Sequence, residues 1–408
     1  MSVNVITRSD LSGLIPEPVT REIIQGVVEG SAVLAMGRRL PNMTSKTQVL
    51  NVLDALPTAY FVNGDTGTKE TTKMAWANKK IYAEEIAVIV PIPEAVLADA
   101  DYDIWGEVRP RLVEAFGKKI DGAVLFGTDK PATWRAGILE SAVASGNVVY
   151  PSANTTIFAD IMGENGVIAK VEEDGYLPNG VMAAVKMRAK LRGIVDQNGQ
   201  PIFKSELQGG IQGNTNYALD GMAMRFPMNG AFNSTLANMI VGDFNQLVYA
   251  IRQDIEFKIF TEGVVQDPSD GSIVYNLMQN DMVALRAVMR LGWEIPNPVN
   301  AFNAGNATRF PFAVYSPDAK ISISPTSKSI AQGASDTATI SDANGTCTAK
   351  VYDSEGAEVK TKVTATVSGT TLTVAATASA TTGSYKVVVT DQAHDSAELA
   401  LTVTAAGG

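Results

Sequence analysis

Residues 84–139 read EEIAVIVPIPEAVLADADYDIWGEVRPRLVEAFGKKIDGAVLFGTDKPATWRAGIL, and they join three kinds of segment in one order. The apolar, β-branched run at the start predicts a strand. A long amphipathic helix is predicted to follow it, and a segment rich in Gly and Pro leads out of that helix. No other stretch of the chain carries as much information about the fold.

Apolar side chains recur at every fourth residue of the predicted helix, which indicates one broad buried face that Trp105 widens. Asp101 or Asp103 is expected to cap the start of the helix, and Gly127 to end it. Pro110 lacks a backbone N–H and clashes with the preceding turn, so we expect a kink or a restart there. The apolar stripe consists of Ile104, Val108, Leu112, Phe116, Ile120 and Val124.

The composition is that of a globular protein with two or three domains: 408 residues, 45% hydrophobic and 19% charged. The net charge of -10 argues against binding nucleic acid by phosphate neutralisation, although an acidic wall facing packaged DNA is compatible with it. One cysteine (Cys347) and one histidine (His394) exclude an internal disulfide framework and a zinc site of the usual Cys/His type. The sequence predicts neither a secretion signal nor a membrane span.

Short motifs around the predicted helix carry a family resemblance when they are taken in order. They are PIPEAVLADADYD at 91–103, Phe116 five residues before Asp121, Leu-Phe-Gly at 125–127, and Gly-Ile-Leu at 137–139 after a Pro and a Trp. With them the chain resembles the major capsid proteins of tailed bacteriophages. The resemblance implies an α+β, Hong Kong 97-type capsid fold with an N-terminal arm, an extended loop, a peripheral domain built on a long spine helix, and an axial domain.

The first 83 residues are too poor in apolar side chains to form a domain. An amphipathic stretch at 19–36 and an alternating segment at 47–53 predict an arm that packs on other parts of the chain or on a neighbour. Strand-like pieces then flank a cluster of turn formers that begins with Asn63 and Gly64. The resemblance implies that this polar hairpin is the extended loop, which lies across the next subunit, with Trp76 and Ile81 as docking residues.

The middle of the chain alternates helical and strand-like patterns, and a helix is predicted at 178–191. An Asn-Gly turn at 198–199 and later strands complete a pattern that resembles the axial domain of the same family. A strand containing Arg286 and Arg290 then runs into a Pro-rich end closed by Ala301-Phe302. The resemblance divides residues 1–316 into five segments. They are an arm at 1–56, an extended loop at 57–83, a peripheral domain at 84–150, an axial domain at 151–285 and a return segment at 286–316.

The composition changes abruptly at Pro317, because residues 317–408 contain neither Trp nor Phe and are crowded with Thr, Ser, Ala and Val. Seven strand-like runs separated by turn formers predict an Ig-like sandwich, and ISISPTSKSI and GSYKVVVT are similar to segments of bacterial Ig-like modules. A disordered Thr/Ser-rich tail is disfavoured because the alternation persists. A domain with its own core is expected to share few contacts with its neighbour. The runs are 320–324, 337–341, 346–352, 360–367, 371–375, 384–390 and 397–404.

No motif predicts a catalytic, cofactor or metal site. Asp99, Asp101 and Asp103 imitate the start of an EF-hand loop, but Ile104 replaces its required glycine and Pro110 its bidentate glutamate. P-loop, GxGxxG, GxSxG and HExxH patterns are missing from the sequence.

Some members of the family weld their subunits by a bond between a loop lysine and an asparagine. Lysines in the loop and asparagines near the return segment are too common to predict such a bond, and surface roles are favoured. The residues concerned are Lys69, Lys73, Lys79, Lys80, Asn297, Asn300, Asn303 and Asn306.

The sequence therefore predicts a phage major capsid protein, not an enzyme and without a cofactor, that self-assembles into pentamers and hexamers of an icosahedral shell around double-stranded DNA. It is expected in the virion after assembly in the host cytoplasm, with scaffold, portal and decoration proteins as further partners and no membrane. Because the arm begins almost at Met1, a separate scaffold or none is expected, unless this sequence is already the processed form with a new start. The Ig-like domain is predicted outside the shell, in weak contact with a host surface or glycan. The residues assigned to assembly are Asn63, Gly64, Trp76, Trp105, Phe116, Ile120 and Asp121.

Two alternative functions stay open. One is the shell of a bacterial encapsulin nanocompartment, which shares the fold. The other is a phage tail or surface adhesin whose Ig-like module binds glycans, although that reading leaves the spine and axial patterns unexplained.

Overall fold

The computed structural model describes residues 30–62, 68–99, 103–152, 155–194, 204–207, 215–267, 269–305 and 308–406. Asn63, Gly64 and the predicted Asn-Gly turn at 198–199 lie outside these ranges, as does most of the predicted arm helix. The α-helices of the described residues are α1 Ala32–Met36, α2 Glu94–Asp99, α3 Ile104–Phe126, α4 Ile138–Ser145, α5 Ile157–Met162, α6 Val167–Glu173 and α7 Met187–Arg192.

Strands make up most of the regular structure. They are β1 Arg38–Arg39, β2 Thr47–Ala55, β3 Ala75–Tyr82, β4 Glu84–Pro93, β5 Val148–Val149, β6 Gly180–Ala183, β7 Lys204–Leu207, β8 Thr215–Leu219, β9 Met222–Arg225, β10 Met239–Gly242, β11 Val248–Phe260, β12 Val264–Gln266, β13 Ile273–Asn276, β14 Met282–Glu294, β15 Phe312–Tyr315, β16 Ser322–Ser324, β17 Ser327–Ala331, β18 Ser335–Ser341, β19 Thr348–Tyr352, β20 Glu358–Val359, β21 Val363–Ser368, β22 Thr371–Ala376, β23 Gly383–Thr390 and β24 Ser396–Thr404.

The described chain divides into two compact units. The smaller unit holds the described residues of 88–113 and 257–287. It contains the hairpin β12–β13 and a cation–π contact in which the Arg286 guanidinium lies 4.8 Å from the Phe260 ring centroid. The larger unit holds the remaining described residues. The fold mixes helices with several sheets and ends in a segment made of strands, which agrees with the predicted α+β class.

The predicted spine helix is confirmed as α3, which runs for 23 residues. The chain continues through Pro110 without an interruption, so the expected restart there is wrong. Phe116 and Ile120 are buried, whereas Trp105 at the start of the helix is only partly buried. Gly127 ends the helix with φ +69°, a backbone conformation that favours glycine.

The larger unit contains a seven-stranded sheet with the strand order β5-β15-β10-β6-β9-β8-β7. The helix predicted at 178–191 is wrong in its first half, because residues Gly180–Ala183 form β6. All four are buried between β10 and β9, so this run has no polar face that would suit a surface helix. Only Met187–Arg192 is helical, and this α7 packs Met187 and Leu191 into the core beside the sheet.

A four-stranded sheet has the strand order β1-β11-β14-β4. Strand β1 pairs in parallel with β11, with Arg38 opposite Val248. Ile120 of the spine shares one apolar cluster with Trp293 of β14 and Phe312 of β15.

Strands β2 and β3 form an antiparallel hairpin in the register Thr47 opposite Tyr82 to Ala55 opposite Ala75. The hairpin stem therefore includes the alternating segment assigned to the arm, and we propose that the extended loop begins near Thr47. Ile81 is fully buried and packs with Met43, so its predicted docking role is wrong, and Val52 of β2 is also buried.

The C-terminal segment forms a sandwich of two sheets, β16-β18-β22-β21 and β17-β24-β23-β19-β20, that enclose a single apolar cluster. All seven predicted strands are present. The two additional strands, β17 and β20, were not predicted because one begins two residues after Pro325 and the other has two residues. The Ig-like assignment itself stays a prediction.

Candidate functional site: the arm clamp and the exposed assembly surfaces

Gly117 and Asp121, two spine residues one helical turn apart, contact the arm at residues 30–33. A Cβ at Gly117 would lie 2.7 Å from the Ser31 nitrogen, so only glycine lets the arm backbone cross the helix this closely. One turn later, Asp121 is fully buried and faces the start of α1. We call Gly117 and Asp121 the arm clamp.

Four donors surround the Asp121 carboxylate. Its Oδ1 accepts hydrogen bonds from the Ser31 hydroxyl at 2.5 Å and the Val33 N–H at 3.2 Å. Its Oδ2 accepts from the Ala32 N–H at 2.9 Å and the Asn229 amide at 2.7 Å. Burial raises the pKa of Asp121, and these bonds, which favour the charged form, offset only part of the rise. The clamp ties the arm, the spine and the loop at 229 to one point.

The exit from the spine explains why its motif contains two glycines. A Cβ at Gly137 would lie 2.6 Å from the nitrogen of Gly127, so the two segments touch backbone to backbone. Between them Trp134 donates from Nε1 to the Tyr82 carbonyl at 3.1 Å and meets Trp293 edge to face, with centroids 6.3 Å apart. The exit therefore fixes the end of β3 against the spine.

Large apolar side chains are exposed along the hairpin and its tip. Phe61 is fully exposed, Trp76 is 64% exposed, and Tyr60 and Met74 are also largely in solvent. Such a concentration on a two-stranded hairpin, which is marginally stable by itself, is typical of a surface that binds another protein. The placement of Trp76 fits its predicted docking role, which stays a prediction.

The assembly residues predicted from sequence are not brought together at one point. Asp121 belongs to the arm clamp, whereas Phe116 and Ile120 are core residues of the spine. Trp105 lies near the start of the same helix, and Trp76 lies on the hairpin. Asn63 and Gly64 lie outside the described residues.

A buried polar network on the return segment was missed from the sequence. The Asp174 carboxylate accepts from the Asn303 amide at 2.7 Å and the Phe310 N–H at 2.9 Å. Arg309 is 2% exposed and donates to the backbone carbonyls of Asn303 at 2.7 Å and Asn297 at 3.1 Å. Only the density of asparagines between 297 and 306 hinted at it, because these side chains bond readily to backbone groups.

Two of the residues considered for a covalent bond between subunits, Lys79 and Asn297, form hydrogen bonds within the chain. Lys79 donates to the Ile295 carbonyl at 3.1 Å, and burial lowers its pKa. Asn297 is buried and donates to the Arg309 carbonyl at 2.7 Å. The sequence favoured surface roles for these residues, whereas the structure buries Asn297 and partly buries Lys79.

The C-terminal sandwich contacts the rest of the larger unit at the turn that precedes β24, and the expectation of few contacts across the boundary stays a prediction. Ala393, in a turn between β23 and β24, is buried in the same apolar cluster as Phe310. Beside it, the Tyr150 hydroxyl donates to the Asp395 carboxylate. Burial raises the pKa values of both groups. Asp391 fixes the turn by accepting from the Asp395 N–H at 3.0 Å.

Comparison with known proteins agrees with this architecture. The sequence profile described as the Phage capsid family matches residues 12–307. The chain belongs to the phage capsid family. It is 28% identical over 296 residues to the "Major capsid protein" of Staphylococcus phage 80alpha, which covers 72% of this chain and 85% of that protein. The family resemblance read from the spine motifs is thereby confirmed.

Solved structures from other phages share the fold. One from Microbacterium phage Oxtober96 is 34% identical, with a TM-score of 0.64, and the match covers 77% of this chain and 100% of that one. One from Mycobacterium phage Adephagia is 30% identical with the same TM-score, covering 77% of this chain and 99% of that one. The profile match ends at residue 307, before the sandwich begins.

Membrane and metal chemistry find no support in the described part of the chain. None of its helices is both long and apolar enough to cross a bilayer. It likewise holds no cluster of three or more His, Cys, Asp or Glu side chains arranged to bind a metal ion.

Proposed function

We propose that this phage capsid family chain is a major capsid protein that assembles with copies of itself into the capsomers and closed shell of a phage head. The observation that carries the proposal is the hairpin β2–β3, whose exposed Phe61 and Trp76 have too little of their own chain to pack against. Burying such side chains against a neighbour supplies association energy that the isolated chain lacks. The relative from Staphylococcus phage 80alpha bears the name of a capsid protein, which favours this function over an encapsulin shell or an adhesin.

The interior of the shell is proposed to hold double-stranded DNA without specific contacts. A chain with a net charge of -10 is a poor phosphate binder, so an acidic wall would let the DNA be packed and released. The sandwich is proposed to lie outside, since packaged DNA would fill the space within. Scaffold, portal and decoration proteins, a host-surface or glycan contact of the sandwich, and assembly in the host cytoplasm belong to the same proposal.

The test is assembly of the purified chain, followed by light scattering after size exclusion and by electron microscopy. We expect capsomers and shells from the natural sequence. Trp76→Ala is expected to block shell closure while leaving capsomers, because it removes an apolar anchor of the hairpin. Asn78→Ala, on the same exposed face of β3, is the matched control and should assemble normally. A chain of 43.2 kDa that stays monomeric at every concentration, with scaffold supplied, would contradict the proposal.

A further inference from the structure

Two of the most exposed apolar side chains lie on neighbouring loops, one of which follows Val299, whose N–H donates to the Leu53 carbonyl of the hairpin at 2.9 Å. Phe302 is 83% exposed and Leu177 is 81% exposed. The Phe302 Cβ lies 2.9 Å from where a Cβ would stand on Gly175, two residues before Leu177. We call Leu177 and Phe302 the knob. Glu172, whose carbonyl accepts the Gly175 N–H at 2.8 Å, is exposed at its rim.

The loop that carries the knob is held in place from below. The Asn300 amide donates to the Asp174 carbonyl at 2.7 Å, and its Oδ1 accepts the N–H of Phe302 at 3.1 Å and of Asn303 at 2.8 Å. The buried Arg309 donates to the Asn303 carbonyl beneath. The polar side chains of this loop thus point inward while its phenylalanine points to solvent. Such preorganisation lowers the entropy cost of binding, which suits a permanent contact.

A recess whose wall includes Pro298, four residues before Phe302, has the complementary character. It has a volume of about 320 Å³ and lies between β1, strand β2 of the hairpin and the Pro-rich segment. Its walls are mostly apolar, and Arg38 stands at its edge. The Arg38 side chain is exposed and makes no hydrogen bond or ion pair with the described residues, and the same is true of the Glu172 carboxylate. The apolar walls are Leu40, Leu50, Val52, Leu53, Val248, Pro296 and Pro298.

We infer that the knob of one copy inserts into the recess of a second copy of this chain, with Glu172 of the first copy facing Arg38 of the second. The inference rests on the proposed function and names a contact within it. An apolar knob with an acidic rim matches an apolar recess with a basic rim, so charge and hydrophobicity favour this occupant. A contact between two different surfaces of one chain repeats from copy to copy and can close a ring.

The experiment combines truncation of the knob with a charge swap at its rim. Phe302→Ser is expected to weaken association of the purified chain by about thirtyfold, the effect typical of a central interface residue, as measured by sedimentation over a concentration series. Glu172→Arg and Arg38→Glu should each weaken association, and the double variant should recover most of the loss. Glu355→Arg, an exposed charge on a sandwich turn, is the control and should leave association unchanged.

The outcomes separate this contact from the proposed function. If the natural chain forms capsomers and Phe302→Ser forms them equally well, the knob contact is wrong and the proposed function stands. A double charge variant no better than either single variant also overturns the contact. A natural chain that never associates overturns both.

Discussion

Asp121 is a buried carboxyl group that forms no ion pair with the described residues. Its four hydrogen bonds come from neutral groups, two of them backbone N–H groups at the start of α1. Hydrogen bonds to a charged acceptor are stronger than neutral ones, but they only partly replace the hydration lost on burial. The Asp121 side chain therefore determines the position of the arm more than it contributes to the stability of the folded chain.

Replacing the carboxylate tests this role. Asp121→Asn turns one acceptor oxygen into an N–H₂ group that faces other donors, and we expect a loss of about 2–4 kcal/mol in the free energy of unfolding. Urea denaturation of the assembled or unassembled protein measures the change. Asp129→Asn, at an exposed carboxylate paired with Lys119 at 2.7 Å, is the control and should change little. Equal stabilities of the two variants would show that the clamp does not hold the arm.

The pH dependence of stability has a defined sign at Asp121. Its pKa is higher in the folded protein than in the unfolded chain, so the folded state binds the proton more tightly. This contribution to stability is fully present below the unfolded pKa of about 3.9 and is lost as the pH rises through the folded pKa. The difference in unfolding free energy between the natural chain and Asp121→Asn, measured from low to neutral pH, should therefore narrow with rising pH. A difference that widens would contradict the raised pKa.

At the scale of elements, sequence periodicity predicted the helix that buries one face. It failed for a strand whose residues are all buried. The spine was predictable because Phe116 and Ile120 repeat at helical spacing on one face. Strand β6 was not, because a fully buried strand and a buried helix share the same apolar run. Of the arm clamp, the sequence indicated only Asp121, which belongs to the recognised motif. The close approach at Gly117 could not be predicted, because it depends on a chain segment 87 residues away.

The spine exit offers a prediction at this scale. A Cβ at Gly137 would overlap the backbone of Gly127, which cannot move without shifting the end of the helix. Gly137→Ala is therefore expected to cost about 1–3 kcal/mol, the usual range for overpacking a filled site. Gly193→Ala is the matched control, because its new Cβ would meet its nearest atom at 3.4 Å, an ordinary contact. Thermal unfolding monitored by circular dichroism compares the two, and equal melting temperatures would count against a tight exit.

At the scale of the whole molecule, composition located the sandwich but not its attachment. The shift at Pro317 precedes the first strand of the sandwich by five residues, and the alternating patterns marked seven of nine strands. The attachment depends on one alanine in a turn and one tyrosine hydroxyl, and neither has a sequence signal of its own. Ala393 and Tyr150 are brought together only by the tertiary fold.

Ending the chain after Ser316 tests how far shell formation depends on this attachment. The profile match stops at residue 307 and strand β15 is complete at Tyr315, so the truncated chain keeps its family portion. We expect shells of unchanged diameter that lack the outer density of the sandwich. Because Ala393 no longer covers its part of the core and Tyr150 loses its partner, we also expect the melting temperature to fall by a few degrees.

Electron microscopy gives the diameter and calorimetry the melting temperature of the truncated shell. Tyr150→Phe in the full chain is the matched control, because it removes the hydrogen bond to Asp395 and keeps the sandwich. Its melting temperature should lie between those of the natural and truncated chains, since it loses one of the two contributions. Protease should also remove the sandwich from intact shells if it lies outside. A truncated chain that cannot close a shell, or a sandwich that protease cuts in free subunits but not in shells, would make this domain part of the wall or its inner face.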